Sequence, residues 1–319
     1  MENKPKLVTF IIPIIRPDCI EACLDSLYKY TDNSIFYVYI IDQTIEGLDP
    51  KLRDHYGNLM VIRTAKSDKH PTGNLGHSQA SNLGVQLTQT PYCCFLNDDV
   101  IFINSKWWQG IMDTFELVNK TTPERPAMIV NAASTKLPDW SVGRASGDDF
   151  YILPEKEEYT DADWDFLVNE DHFVNEHLTI KPGSVIDGIN LYCSVCDTKK
   201  LIEVGMIDEF FYPGGANDYD LGCRASMFGY RCVGTTLSWV YHMWTVSFKS
   251  VQAQEEIHAL VQDDLKHEDL RDKWGKRFDL WGVRCTKCDE IMHTEDGRNA
   301  ACPKCNETYQ MPETTIEEL

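Results

Sequence analysis

The chain has 319 residues, of which 43% are hydrophobic, and a formal net charge of −20. That length holds one large domain or two smaller ones around a real core. The acidic balance disfavours nonspecific attachment to nucleic acid or anionic membranes, which select basic patches, and a nucleotide ligand would need a local metal ion or Arg.

Lys4 and Lys6 precede an apolar run from Leu7 to Ile15, but Pro13 and Arg16-Pro17 stand where a signal peptide would carry its small-residue cleavage site. No apolar stretch approaches 18 residues, so no membrane span is expected, and the cytoplasm is the expected compartment. The near-continuous aliphatic run 7–15 reads as an interior parallel strand, and Arg16-Pro17-Asp18 opens a helix whose stripe of Ile20, Cys23, Leu24 and Leu27 continues to Tyr30. Ser34 to Ile41 is a second strand closed by Asp42, and Leu59 to Arg63 a third, followed by the polar loop Thr72 to Gly76. A helix with Ser78, Ala80, Ser81 and Gly84 on one side then allows a close approach of backbone to a neighbour.

The run Tyr92 to Leu96 reads as a strand buried on both faces, and it stops at Asn97-Asp98-Asp99. Acids closing a buried strand of an open α/β sheet sit in the crevice where ligands bind, and neighbouring carboxylates attract a hard divalent cation such as Mg²⁺ or Mn²⁺. Trp107 to Val118 is an amphipathic helix, and Met128 to Ala132 a strand. Leu137 to Asp165 has no period and reads as a long binding loop, with Trp140, Tyr159 and Trp164 available to stack on a sugar or a base. Val185 to Val195 regains strand character, Lys199 to Val204 is a short helix, and Asp218 to Phe228 a helix with acids in its first turn. Arg231 to Val240 is a strand leading to His242, and Ser250 to Asp272 is helical and highly charged. The alternation predicts a doubly wound, Rossmann-like α/β sheet.

Twelve cysteines fall into two groups. Eight in the first 232 residues read as buried thiols, including the pair Cys193 and Cys196. Cys285, Cys288, Cys302 and Cys305 form two C-x-x-C knuckles thirteen residues apart, the spacing of a four-thiolate zinc ribbon with a structural Zn²⁺. Residues 281–319 hold four Lys and Arg against eight Asp and Glu, which argues against DNA as the ribbon's direct partner. Packing on the rest of the chain, extension of an acceptor site and self-association stay open for it.

The order of motifs over about residues 5–245 resembles the family 2 glycosyltransferases of the GT-A fold. The resemblance rests on Ile12-Pro13-Ile14-Ile15-Arg16-Pro17, on Ile40-Ile41-Asp42, on Asn74-Leu75-Gly76 with Asn82-Leu83-Gly84, on Asn97-Asp98-Asp99, and on Asn217-Asp218-Tyr219-Asp220-Leu221-Gly222-Cys223-Arg224 with Gly229-Tyr230. It implies a mixed GT-A sheet over 1–249; beyond it the residues themselves read as a helical extension 250–280, the ribbon 281–312 and an acidic tail 313–319. It also implies sugar transfer from a nucleoside diphosphate donor, a UDP-sugar first, to an acceptor hydroxyl.

Under that resemblance Asp99 and His242 hold Mn²⁺ or Mg²⁺, and Asp218 is the base of an inverting reaction. Pro13, Arg16, Asp42, Asn74, Gly76, Asn82, Asn97 and Asp98 contact the donor, Asp42 through the nucleobase. Asp187, Gly188, Asn217 and Trp140 face the acceptor, which is a saccharide, a protein or a hydroxylated base in DNA. Asn97 and Asn217 depart from the family's acids. Gly214-Gly215-Ala216-Asn217 is also similar to retaining polypeptide transferases, so inversion and retention both stay open. Two rivals stand beside this reading: a degenerate binding module of the same fold acting through its ribbon, and a nucleotidyltransferase, which lacks its glycine-rich loop in Ile14-Ile15-Arg16-Pro17.

Overall fold

The computed structural model describes residues 5–136, 151–152, 173–174, 179–180, 185–187, 190–212 and 214–242. Toward the carboxyl end it describes 273–274, 278–279, 282–283, 285, 287–288, 290, 292–294 and 299–310. The first half alternates strictly: β1 (Val8–Ile14), α1 (Ile20–Tyr30), β2 (Phe36–Asp42), α2 (Lys51–His55), β3 (Leu59–Arg63), α3 (Gly76–Leu87) and β4 (Tyr92–Leu96). Then come β5 (Val100–Phe102), α4 (Trp107–Thr121), β6 (Ala127–Lys136), β7 (Tyr151–Ile152), β8 (Phe173–Val174), β9 (Thr179–Ile180), β10 (Val185–Asp187) and β11 (Cys193–Asp197). The helices α5 (Thr198–Glu203) and α6 (Asn217–Met227) and the long strand β12 (Arg231–His242) complete the main sheet.

Strand order is β10-β12-β6-β11-β4-β1-β2-β3, with β5 on β12 and β7 on β6. The run β4-β1-β2-β3 is parallel, whereas β11 runs against both β4 and β6, and β6 and β12 are parallel to each other. This is the mixed, doubly wound α/β sheet that the sequence predicts. Both faces are covered. Val8, Phe10, Ile12 and Ile14 of β1 pack with α1 and α4, while Ile11 packs with α3 and α6. That is why β1 reads as a continuous aliphatic run rather than an alternating one.

Two glycines allow close approaches. A Cβ on Gly84 would lie 2.3 Å from Ile11 Cγ2, so the small-residue side of α3 rests on β1. A Cβ on Gly110 would lie 1.9 Å from the Leu237 carbonyl oxygen, where β12 bulges between Thr235 and Trp239 and α4 presses against it.

Several boundaries differ from the sequence reading. The helix predicted to open at Arg16 begins at Ile20. Val185 to Val195, read as one strand, is two: β10 at the sheet's edge and β11 in its middle, a jump that an unbroken apolar pattern does not reveal. The helical segment 250–272 and the loop carrying Trp140, Tyr159 and Trp164 lie outside the described residues. Among the described residues no helix is long and apolar enough to cross a membrane. The carboxyl-terminal strands β13 (Phe278–Asp279), β14 (Gly282–Val283), β15 (His293–Thr294), β16 (Asn299–Ala301) and β17 (Thr308–Gln310) form two small antiparallel sheets.

Candidate active site

The carboxyl ends of β1, β2 and β4 share one edge of the sheet because these strands run parallel in register. At the end of β4 the chain turns through Asn97-Asp98-Asp99 and returns as β5, which pairs antiparallel with β12 so that Val100 stands opposite His242. The turn is pinned from below: Asn97 N donates to the Tyr192 carbonyl at 2.8 Å, and Val100 N to the Asn97 carbonyl at 3.3 Å. This register brings together residues 143 positions apart. His242 Nε2 lies 3.1 Å from Asp99 Oδ1 and 3.5 Å from Asn97 Nδ2. The Tyr192 ring stacks on the imidazole at 4.8 Å between centroids, which fixes its plane.

Both side chains of the Asp99–His242 pair are 5% exposed. Asp98 beside them is also buried, and its Oδ2 has no hydrogen-bond partner. Its carboxyl is pushed up to about 7, mainly by burial and then by the Asp99 charge, against which Arg16 acts. Arg16 itself donates to Asp18 at 3.3 Å, and its Nε is buried without a partner. Two buried acids with an unmet oxygen are a charge distribution that a cation would relieve.

The donor set fits a divalent ion. Two bonds of about 2.1 Å at a right angle place their ligand atoms about 3 Å apart, close to the Asp99–His242 separation. Mn²⁺ accepts both carboxylate and imidazole, and a two-ligand protein site leaves positions for phosphate oxygens and water.

The other predicted donor residues are held with different degrees of freedom. Asp42 is buried, and its oxygens accept from Thr44 N at 3.0 Å, Thr44 Oγ1 at 2.6 Å, Leu48 N at 3.1 Å and Arg63 Nη1 at 2.9 Å. Burial alone would raise its pKa, but the bonds from Thr44, Leu48 and Arg63 win and hold it below the usual carboxylate range. Pro13 pairs across from Ile41 next to this loop. Asn74 Oδ1 accepts from Gly76 N at 2.9 Å, and Gly76 takes a φ of 76°, which opens α3 in a conformation that favours glycine. Gln43 Oε1 accepts from Leu75 N at 2.7 Å, tying the end of β2 to the start of α3. Asn82 is buried with its amide engaged: Nδ2 donates to the Ile207 carbonyl at 2.7 Å and Glu209 Oε1 at 2.9 Å, and Oδ1 accepts from Ile207 N at 3.0 Å. It ties α3 to the loop that leads into α6.

That loop brings Asn217 to the first turn of α3, with Asp218 next to it in the chain. Ala216 takes a left-handed φ of 60° and starts α6 abruptly. Asn217 Nδ2 lies 3.2 Å from His77 Nδ1 and 3.2 Å from Ser78 Oγ in the first turn of α3. Asp218 is partly exposed in the first turn of α6, and its Oδ1 accepts from Tyr219 N at 2.9 Å. Asp220, two residues on, is fully buried against Arg224, with Oδ2 to Nε at 2.9 Å. Asp187 lies in β10, while Gly188 and Trp140 fall outside the described residues.

Cys285, Cys288, Cys302 and Cys305 come together with their sulfurs within 4.8 Å of one another, a cluster able to hold a metal ion. Sequence reading missed Tyr192, His77, β5 and the pair Lys273–Trp274. Only Tyr192 had a signal, as an aromatic in an apolar run.

No family model matches the chain, and no curated protein matches it. Among solved structures it is similar to the crystal structure of GalNAc-T7 with UDP, GalNAc and Mn²⁺, at 12% identity and a TM-score of 0.49, covering 75% of this chain and 44% of that one. It is also similar to Staphylococcus aureus TarS, at 13% identity and a TM-score of 0.44, over 83% of this chain and 42% of that one. The 1–349 piece of TarS in complex with UDP gives 12% identity and a TM-score of 0.47, over 83% and 70%. The chain thus spans less than half the length of GalNAc-T7 and of TarS.

Proposed function

We propose that this chain is a metal-dependent glycosyltransferase that moves a sugar from a nucleoside diphosphate, a UDP-sugar first, to an acceptor hydroxyl with inversion. The reading rests above all on the meeting of Asp99 and His242 through the β5–β12 pairing, 3.1 Å apart beside the unpartnered Asp98 oxygen.

Asp99 Oδ1 and His242 Nε2 would hold Mn²⁺ or Mg²⁺, which when bound offsets charge on the departing diphosphate. Asn97 orients the imidazole, and Tyr192 keeps its plane. Asp98 and Arg16 receive polar groups of the donor, while Asp42, with its oxygens engaged internally, shapes the base pocket through the 42–48 loop. Asp218 takes the proton of the acceptor hydroxyl as the new bond forms opposite the diphosphate. Its partial exposure leaves it reachable, and Asn217 fixes its turn through α3. Asp187, Gly188 and Trp140 belong to the acceptor side, whose occupant is a saccharide, a protein or a modified DNA base.

A panel of nucleotide-sugars screened by thermal shift with Mn²⁺ identifies the donor. With that donor, Asp218→Asn is expected to abolish transfer while UDP binding survives, and near-normal turnover would remove Asp218 from the role of base. Asp99→Ala is expected to lower turnover by about 10²–10³-fold, the size of one lost electrostatic contact to developing charge.

The engagement of Asn97 and Asn217 by His242 and by His77 and Ser78 favours a second reading, a binding module that has lost catalysis. Mn²⁺-dependent hydrolysis of the donor, lost in Asp99→Ala, separates the two, because a binding module hydrolyses nothing.

A further inference from the structure

α6 is held from two sides. Toward the sheet, Asn217 bonds to the first turn of α3. On the other side Asp220 is the anchor: its Oδ1 accepts from Lys273 Nζ at 2.7 Å and Trp274 Nε1 at 2.9 Å, and its Oδ2 from Arg224 Nε at 2.9 Å. Lys273 also pairs with Asp208, and its ammonium lies over the Phe211 ring at 5.5 Å. The Tyr309 hydroxyl of β17 donates to the Lys273 carbonyl at 3.4 Å.

Trp274 is 1% exposed and packs in one apolar cluster with Phe211, Ala216, Cys223 and Met227 of the α6 region and with Cys285, Met292 and Cys302 of the ribbon. A ribbon built as a detachable partner-binding module would keep its apolar face to itself. Here the inner face of the cysteine site is part of the wall behind α6. Four thiolates hold such a loop together only while a metal neutralises them, since metal binding supplies the folding energy of these sites.

We propose that the ribbon is an intramolecular clamp: bound zinc holds Lys273 and Trp274 against Asp220, and so fixes the helix turn that carries Asp218. The functional half of this rests on Asp218 as the base, whereas the clamp itself rests on the contacts above. Lys273, Trp274 and Asp220 are positioning residues, acting on transfer through α6.

The test uses the full chain, stripped of zinc with 1,10-phenanthroline and dialysed back into Mn²⁺. Amide exchange in 217–227 is expected to speed by at least about tenfold while β1, β2 and β4 stay protected, the mark of a local opening. UDP affinity is expected to hold within about threefold and transfer to fall by about 100-fold, the cost of an ångström-scale misplacement, returning when zinc is restored. Unchanged exchange in α6 after zinc loss, or opening of the whole sheet together with it, overturns the clamp. Trp274→Phe keeps the ring's packing and removes its N–H. It should retain its zinc yet show faster α6 exchange and lower kcat at unchanged donor KM, and wild-type values for all of these would refute the Asp220 contact as the link. If no form turns over any nucleotide-sugar, the transferase reading fails, while exchange still decides the clamp.

Discussion

Two buried groups of acids in this molecule meet their charge in opposite ways. Asp208 and Asp220 lie with Lys273 and Arg224, two acids against two cations, and all four carboxylate oxygens accept hydrogen bonds. Asp98 and Asp99 close β4 with Arg16 opposing the raised pKa of Asp98, and one Asp98 oxygen accepts nothing. Burial is alike in the two places, so burial does not separate a structural acid from a functional one. Charge balance does. Among the described residues both carboxylates of the first group are fully matched, leaving only Arg224 Nη2 without a partner, whereas the second group keeps an unmet carboxylate oxygen, which is why the proposed chemistry belongs to the second.

That contrast breaks first at Asp220. Asp220→Ala leaves Arg224 without its carboxylate in the interior and Lys273 with Asp208 alone, and removing one partner of a buried ion network costs about 3–5 kcal/mol. Urea unfolding of the metal-loaded chain measures it, and a loss below about 1 kcal/mol, the worth of a surface pair, would show the network to be solvated. Asp98→Asn has the opposite sign: in protein freed of divalent ions at pH 8 it is expected to stabilise by roughly 2 kcal/mol, because a buried charge that Arg16 offsets only in part is removed. Mn²⁺ should then raise the Tm of the parent more than that of Asp98→Asn. Equal Tm gains would take Asp98 out of the cation's field.

The two groups also differ in how legible they were in the sequence. Asp98 and Asp99 announced themselves because an aromatic strand ended on them, and β1, β2 and β3 were plain for the same reason: local apolar runs with short connections. The partnership of Asp99 with His242 was implied by family resemblance alone, since the contact depends on β5, three residues long, pairing with a β12 that bulges near Gly110. Arg224 was legible as the partner of Asp220 because they are one helical turn apart. Lys273 was not. It follows a charged stretch where any of many residues reads as solvated surface, and nothing local marks the one that enters a core. Asn82 was read as a donor contact from its motif, yet its amide is bonded to Ile207 and Glu209, a long-range tie that no pattern in α3 encodes.

The smallest expected effect concerns two histidines. His242 sits against Asp99, whereas His77 lies beside Asn217, and burial pushes its pKa down to about 4 from the usual 6.5. A base whose folded pKa is depressed binds fewer protons in the folded state than in the unfolded one across that interval. Stability therefore rises with pH from about 4 to about 6.5 and is lost in the reverse direction. His77 is only partly enclosed, so its share is expected to be roughly 1 kcal/mol rather than the larger figure that a full shift at 1.36 kcal/mol per unit would give. His77→Gln keeps an acceptor for Asn217 Nδ2 and carries no titrating group. Its unfolding free energy should thus fall less steeply than the parent's between pH 7 and pH 4.5, with transfer at pH 7 measured alongside. Identical slopes would mean that His77 gains its proton in the fold as readily as in the open chain, and that the start of α3 is wetter than its contact with Asn217 implies.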